Sequence, residues 1–404
     1  MNLSPTETRL VEAIAGRRDA LLTDLRLHVG LATGGFNKAA IDETRERFVA
    51  RLTALGASFE LVEGEARPDW LYGTSAAGTP PPTAVCRRTD RPSTCKILIA
   101  GHLDTVHDPK GSFRELSVAP DGKTATGPGC VDMKGGLVIA VAALEALEEI
   151  GIDAAWTFLM NADEETGSYH SEDAIRAESA KHDFGLALEP ALPGGELAVE
   201  RMGSGQFVIE CRGRAAHVGR DFARGVSAVN TLAECITRVA GMADPNAGRI
   251  ISIGPLQGGN ATNAVPDLAR AWGNVRFPTQ EVADELAAML DALQTAHDAM
   301  PGVVVRRSFN RPAKPFRSET ERLALAARYV AEGLGQSLPF AKTGGVCDGN
   351  IMQDAGLPTI DTLGVRGGGL HTPDEWIELD SLVERCQLLA VLIARLAERG
   401  TNEN

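Results

Sequence analysis

Lys96-Ile97-Leu98-Ile99-Ala100-Gly101-His102-Leu103-Asp104-Thr105 is the stretch on which the reading of this 404-residue chain turns. The apolar run Lys96–Ala100 reads as a buried strand, and the polar cluster that ends it puts a histidine and an acid where open α/β sheets place their ligand sites. The pattern recurs twice. Trp156–Met160 ends in Asn161-Ala162-Asp163-Glu164-Glu165-Thr166-Gly167-Ser168, and Phe184–Leu188 ends in Glu189-Pro190. Between the first two runs lies a helix-like stretch, Gly136–Leu147. Strands alternating with helices predict the α/β class, with a parallel or mixed sheet covered by helices.

On the N-terminal side, apolar residues recur every three or four positions from Thr6 to about Leu27 and from Asn37 to Leu55, which predicts two amphipathic helices. On the C-terminal side the pattern changes after Glu189-Pro190. Gln206–Arg212, Arg249–Gly254, Ala269–Phe277 and Val303–Ser308 read as strands, and Ser227–Met242 and Gln280–His297 as helices. The order β-α-β-β-α-β predicts a ferredoxin-like unit, residues 200–312, inserted into an α/β domain made of residues 1–199 and 313–404. Hinges are expected near Ala198–Gly203 and Asn310–Pro315, from their Gly and Pro content. A helix around Glu319–Leu334, a glycine-rich turn region and a last helix, Leu379–Arg399, complete the chain.

Composition narrows the function. With 40 Lys+Arg against 54 Asp+Glu the formal net charge is −14, which disfavours nucleic acid and anionic membrane as partners. Hydrophobic residues at 44% and charged residues at 23% suit a folded chain rather than a disordered one. The longest apolar region, Leu137–Leu147, is cut by Glu145 and is too short for a membrane span. Met1–Leu10 carries Glu7 and Arg9 in place of a signal-peptide core. The seven cysteines form an odd set without CxxC spacing, so reduced thiols and a cytoplasmic address are expected.

The polar clusters carry the chemistry. Taken singly, each has an ordinary reading: His102 as a satisfied buried histidine, Asp132 in Gly127-Pro128-Gly129-Cys130-Val131-Asp132-Met133-Lys134-Gly135-Gly136 as a helix cap. The three acids Asp163-Glu164-Glu165 are harder to account for that way, because carboxylates packed at the end of an apolar strand repel one another unless cations or protons compensate. With His371, which follows Gly367-Gly368-Gly369-Leu370, the clusters supply two histidines and at least three carboxylates. That donor set suits two divalent ions of borderline type, and zinc, cobalt and manganese all fit it. In a two-metal centre a shared carboxylate bridges, and a free one nearby serves as general base.

Gly101–Val106, Gly127–Gly136, Asp163–Ser168 and the late His371, in this order, resemble the zinc-dependent exopeptidases and amidohydrolases of the M20 group, over nearly the whole chain from Lys96 onward. The resemblance implies a zinc-exopeptidase-like α/β domain with a lid that also dimerises. It implies Asp132 as bridging ligand, His102 and Glu189 completing one metal site, and Glu165 and His371 the other. Asp104 would orient His102, and Glu164 would be the general base. Arg214-Ala215-Ala216-His217-Val218-Gly219 resembles a segment whose histidine crosses a dimer interface to stabilise the oxyanion, and a capped turn would equally explain His217. Asn263 and Arg276 resemble substrate-binding residues, Arg276 as a carboxylate fork or else a surface arginine. Gly345 and Gly369 stand in turns similar to those lining the substrate pocket.

The expected reaction is hydrolysis of an amide bond next to a free carboxylate, in a small peptide or N-acyl amino acid, as in the glutamate carboxypeptidase branch. An N-acyl deacetylase or desuccinylase is the alternative enzyme. A metal-dependent binding protein is the alternative without turnover, which the intact Glu164 opposes. Glutamate carboxypeptidases place a basic residue soon after the Glu-Pro pair; here Gly195-Glu196-Leu197 is acidic, and Arg201 is the one basic residue in reach.

Overall fold

A computed structural model describes residues 3–35, 37–73 and 78–401. Ten strands carry the architecture: β1 (Ser58–Val62), β2 (Thr83–Arg88), β3 (Lys96–His102), β4 (Ala155–Asn161), β5 (Phe184–Ala187), β6 (Gly203–Arg212), β7 (Ile250–Gly258), β8 (Leu268–Phe277), β9 (Gly302–Arg311) and β10 (Thr359–Ile360). The longer helices are α1 (Pro5–Ala15), α2 (Arg18–Gly30), α3 (Lys38–Ala54), α4 (Gly135–Ile150), α5 (Ala228–Ala240), α6 (Gln280–Asp291), α7 (Ser318–Gly333) and α8 (Asp380–Arg399).

One sheet has the order β1-β2-β4-β3-β5-β10. Its β4, β3, β5 and β10 run parallel, while β1 and β2 are antiparallel additions. This mixed sheet explains why Lys96–Ala100 reads as a continuous apolar run. Ile97 and Ile99 face the main core, whereas Leu98 and Ala100 face a second cluster with Ile351 and Met352, so both faces are covered and polar alternation is lost. Helix α4 is buried from Gly135 to Leu144 because it lies within the main core, against α8 and α1.

The second sheet, β7-β8-β6-β9, is wholly antiparallel. In order of sequence its strands lie 2-3-1-4, the arrangement a βαββαβ unit gives when α5 and α6 cover one face. It has its own core, with Phe207, Ile209, Leu232, Val275, Phe277 and Leu286 at the centre. Burial alternates along β8, so its second face is half-open.

Three expectations change in detail. The stretch Thr6–Leu27 is two helices, since Gly16 lies at the α1 C-cap and the chain restarts at Arg18. Helix α6 stops at Asp291 rather than His297, because Thr295 leaves the helix to pair with Val303: its N–H donates to the Val303 carbonyl at 3.1 Å, and its hydroxyl accepts from the Val303 N–H at 2.8 Å. Strands β1 and β2, the latter starting directly after Pro80-Pro81-Pro82, extend the sheet where no strand was expected. All seven cysteines are free and buried. Among the described residues no helix is long and apolar enough to cross a membrane.

Candidate metal centre

The parallel strand ends converge on one cluster. His102 is the last residue of β3, Glu164 and Glu165 follow β4, and Glu189 follows β5. Asp132 precedes α4, whose start packs tightly on the β5 end: a Cβ on Gly136 would lie 2.4 Å from the Leu188 carbonyl oxygen. That close approach brings the Asp132 loop beside Glu189.

Asp132 stands between two histidines. Its Oδ1 is 3.2 Å from His102 Nε2, and its Oδ2 is 3.4 Å from His371 Nε2, which in turn lies 3.3 Å from Glu165 Oε2. Ligand atoms of His102, Asp132 and Glu165 all fall within 4.8 Å of one another. The second nitrogen of His102, Nδ1, is 2.9 Å from the Asp104 main-chain carbonyl and 3.5 Å from its carboxylate, and the carboxylate also accepts from the Glu165 N–H at 3.1 Å. Asp104 therefore touches His102 chiefly through its backbone oxygen.

The electrostatics suit a site that takes cations. Burial pushes the Glu189 carboxyl up to about 8, with repulsion from Asp132 adding to it. Burial also raises Glu164 and Glu165, against the pull of Arg311 on the first and His371 on the second. Hydrogen bonds that His371 donates to the Asp132 and Glu165 carboxylates lift its pKa to about 10. Nitrogen and carboxylate donors arranged this way fit divalent ions, which would relieve the crowding and displace the histidine protons.

Several residues that sequence reasoning missed hold this site. The buried Glu375 accepts hydrogen bonds from the N–H groups of Gly129, Val131 and Asp132 at 2.8, 2.9 and 3.0 Å, and meets His107 Nε2 at 2.5 Å. It shapes the Asp132 loop, and its place four residues after His371 is the signal that could have found it. Arg311, at the end of β9, joins Glu164 Oε1 and Asp348 Oδ1, both at 2.8 Å. Asp348 also accepts from Ser168 and Asn161, each at 2.6 Å.

Glu164, Glu165 and His371 open into a cavity of about 360 Å³ that Arg276, Gly345 and Arg311 also line. Gly369 lies outside that lining; with φ +68° it forms the turn that carries His371. His217 and Asn263 are elsewhere, exposed on a short ribbon in which the Val218 N–H donates to the Asn263 carbonyl at 3.0 Å. Arg201 is not free to read a substrate. It is buried against Asp361, Nη2 to Oδ1 at 2.7 Å, and Asp361 also meets Lys314 at 3.1 Å. Burial raises the Cys130 and Cys347 thiols well above their ordinary range, which leaves both protonated and poorly nucleophilic.

Residues 98–395 match the model of peptidase family M20/M25/M40. The chain is 30% identical to carboxypeptidase G2 of Pseudomonas sp. strain RS-16 over 310 residues, 74% of each chain. It is 29% identical to a succinyl-diaminopimelate desuccinylase of Methylorubrum populi over 376 residues, 86% of this chain and 91% of that one. A tripeptidase of Staphylococcus aureus has the same fold at TM-score 0.74 and 22% identity, covering 94% of this chain and 99% of that one. The M20 resemblance read from the motifs is borne out, as is the α/β architecture: the chain belongs to peptidase family M20/M25/M40 and is a metal-dependent hydrolase.

Proposed function

We propose that this hydrolase cleaves an amide bond adjacent to a free carboxylate, in a small peptide or N-acyl amino acid, in carboxypeptidase fashion. The observation that carries the reading is Asp132, whose two oxygens face His102 and His371 at 3.2 and 3.4 Å while Glu164 stands in the same cavity with Arg276. Asp132, His102 and Glu189 would hold one ion, and Asp132, Glu165 and His371 the other, zinc being the simplest fit to the donors. Bound ions of this kind acidify water and polarise a carbonyl.

The remaining steps belong to the chain. Glu164 takes the proton of the attacking water and returns it to the leaving amine nitrogen, with Arg311 fixing its carboxylate through the 2.8 Å contact. Arg276 holds the free carboxylate through its guanidinium fork. Residues 200–312 act as a lid and as the contact between two copies, and His217 of one copy serves the oxyanion in the other. The exposed setting of His217, off the cavity of its own chain, supports that arrangement.

The desuccinylase alternative rests on the likeness to the Methylorubrum populi protein over most of both chains. Hydrolysis of a panel of N-acyl amino acids and dipeptides by zinc-loaded protein, with and without chelator, tests the proposal. Cleavage that needs metal and is lost in Glu164→Ala supports it; a panel left intact, or a fully active Glu164→Ala, refutes it. Preference for N-succinyl over N-acetyl substrates would favour the desuccinylase reading.

A further inference from the structure

Two cations of the cavity have no ion-pair partner among the described residues. Arg311 is matched by Glu164 and Asp348, but neither Arg67 nor Arg276 makes an ion pair or hydrogen bond among the described residues. Nε of Arg67 is fully buried without a partner. Its electrostatic neighbours Asp163 and Tyr169 lie beyond ion-pair distance, and Asp163 already accepts from the His170 N–H at 2.7 Å. Burial lowers the pKa of both arginines, the mark of a cation desolvated without compensation.

Arg67 is also held in place. It sits midway along a strap, residues 63–73, that leaves β1 and is pinned on either side of it. Three residues before it, the Gly64 N–H donates to His170 Nε2 at 3.3 Å, and the other ring nitrogen of His170 contacts the Glu65 carbonyl at 3.2 Å. A Cβ on Gly64 would overlap the His170 carbonyl at 1.5 Å, so only glycine permits this contact. Three residues after it, the Trp70 carbonyl accepts from Trp272 Nε1 on β8 at 2.7 Å, and Tyr72 packs edge-on against the same indole at 5.4 Å. The strap thus bridges the two sheets and points a guanidinium into the cavity between its anchors.

We propose that Arg67 reads a second carboxylate of the substrate, so that the substrates are amides bearing two carboxylates, one held by Arg276 and one by Arg67. This rests on the amide-hydrolase reading above and adds a specificity-determining residue contributed by the strap. A planar, always-charged fork suits a carboxylate, and a half-buried cation left unpaired discriminates against a ligand that fails to fill it.

The test compares Arg67→Ala and Arg67→Lys with wild type on N-acetylalanine, N-acetylglutamate and N-succinylalanine. The expected result is a loss in kcat/KM of about 10- to 100-fold on at least one diacid, the scale of a hydrogen-bonded charge, with N-acetylalanine changed less than about threefold. Arg67→Lys is expected to recover part of the loss. Trp272→Phe, which removes the strap's hydrogen bond, is expected to raise KM for that diacid without lowering kcat. Equal losses on all three substrates, or none, overturn the proposal. Calorimetric binding of glutarate, which has no scissile bond, reads the subsite apart from turnover. Weaker glutarate binding in Arg67→Ala supports it even if no amide is cleaved; an active wild type whose glutarate affinity equals that of Arg67→Ala contradicts it.

Discussion

Two buried charge clusters lie at the carboxyl ends of the same sheet and solve the same problem in opposite ways. Around Asp361 one acid faces two protein cations, Arg201 at 2.7 Å and Lys314 at 3.1 Å, and these hold its carboxyl below the ordinary range despite burial. Around Asp132 the acids Glu165 and Glu189 crowd in with two imidazoles and, among the described residues, no lysine or arginine paired to them, and burial drives the Glu189 carboxyl up to about 8. One cluster is neutralised from within the chain; the other is built to be neutralised from outside. The difference separates scaffold from site more sharply than any motif does.

The largest expected effect sharpens that contrast. Glu164→Gln should lower kcat by about 10³-fold, the scale of a lost general base, while metal content measured by elemental analysis stays unchanged. Asp361→Asn should act in the reverse sense, costing about 3 kcal/mol of stability by leaving two buried cations short of an anion. Denaturant melts check this: the loss should persist with and without chelator. If chelator erased the difference, the two clusters would not be independent.

Much of this was legible in the sequence, and the limits are physical. Acids at the ends of apolar runs stand out because burial without compensation is costly, so Glu164, Glu165 and Glu189 could be picked out from local context, whereas His102 and Asp132 have ordinary readings alone and drew their proposed roles from the family resemblance. Glu375 could be suspected from its place four residues after His371, but its role could not be read, because it depends on three N–H groups of a loop more than 240 residues away. Arg311 and Arg67 were hidden for the same reason: an arginine in sequence does not say whether a counter-charge meets it. The break between α1 and α2 went unread because the apolar spacing continues across Gly16.

Glu375→Gln tests the support beneath the metal cluster. It leaves every proposed ligand in place but weakens the charged acceptor for the Asp132 loop, so metal affinity should fall about 10- to 100-fold, measured by competition with a calibrated chelator. An unchanged affinity would confine Glu375 to stability.

The smallest effect concerns a part-buried relative of the Asp361 cluster, the Glu7–Arg395 pair. Burial raises the Glu7 carboxyl, but hydrogen bonds from Arg395 and the Ser4 N–H outweigh it and hold the pKa below its usual 4.5. A depressed native pKa contributes stability above the unfolded value and loses it as pH falls through the native one. Glu7→Gln, which can keep the helix cap, should therefore cost about 0.5 kcal/mol near neutral pH, with the gap to wild type closing below about pH 4.5 in melts across pH. A gap independent of pH would mean that packing rather than charge is at stake.

The central claim is that the Asp132 cluster is an acid site completed by two divalent ions. Zinc content per chain, measured after chelation, reloading and gel filtration for wild type and Asp132→Ala, tests it most directly. The account predicts two ions in wild type and fewer than one in the variant. Wild-type protein that retains no zinc, or an Asp132→Ala variant that still holds two, would contradict it.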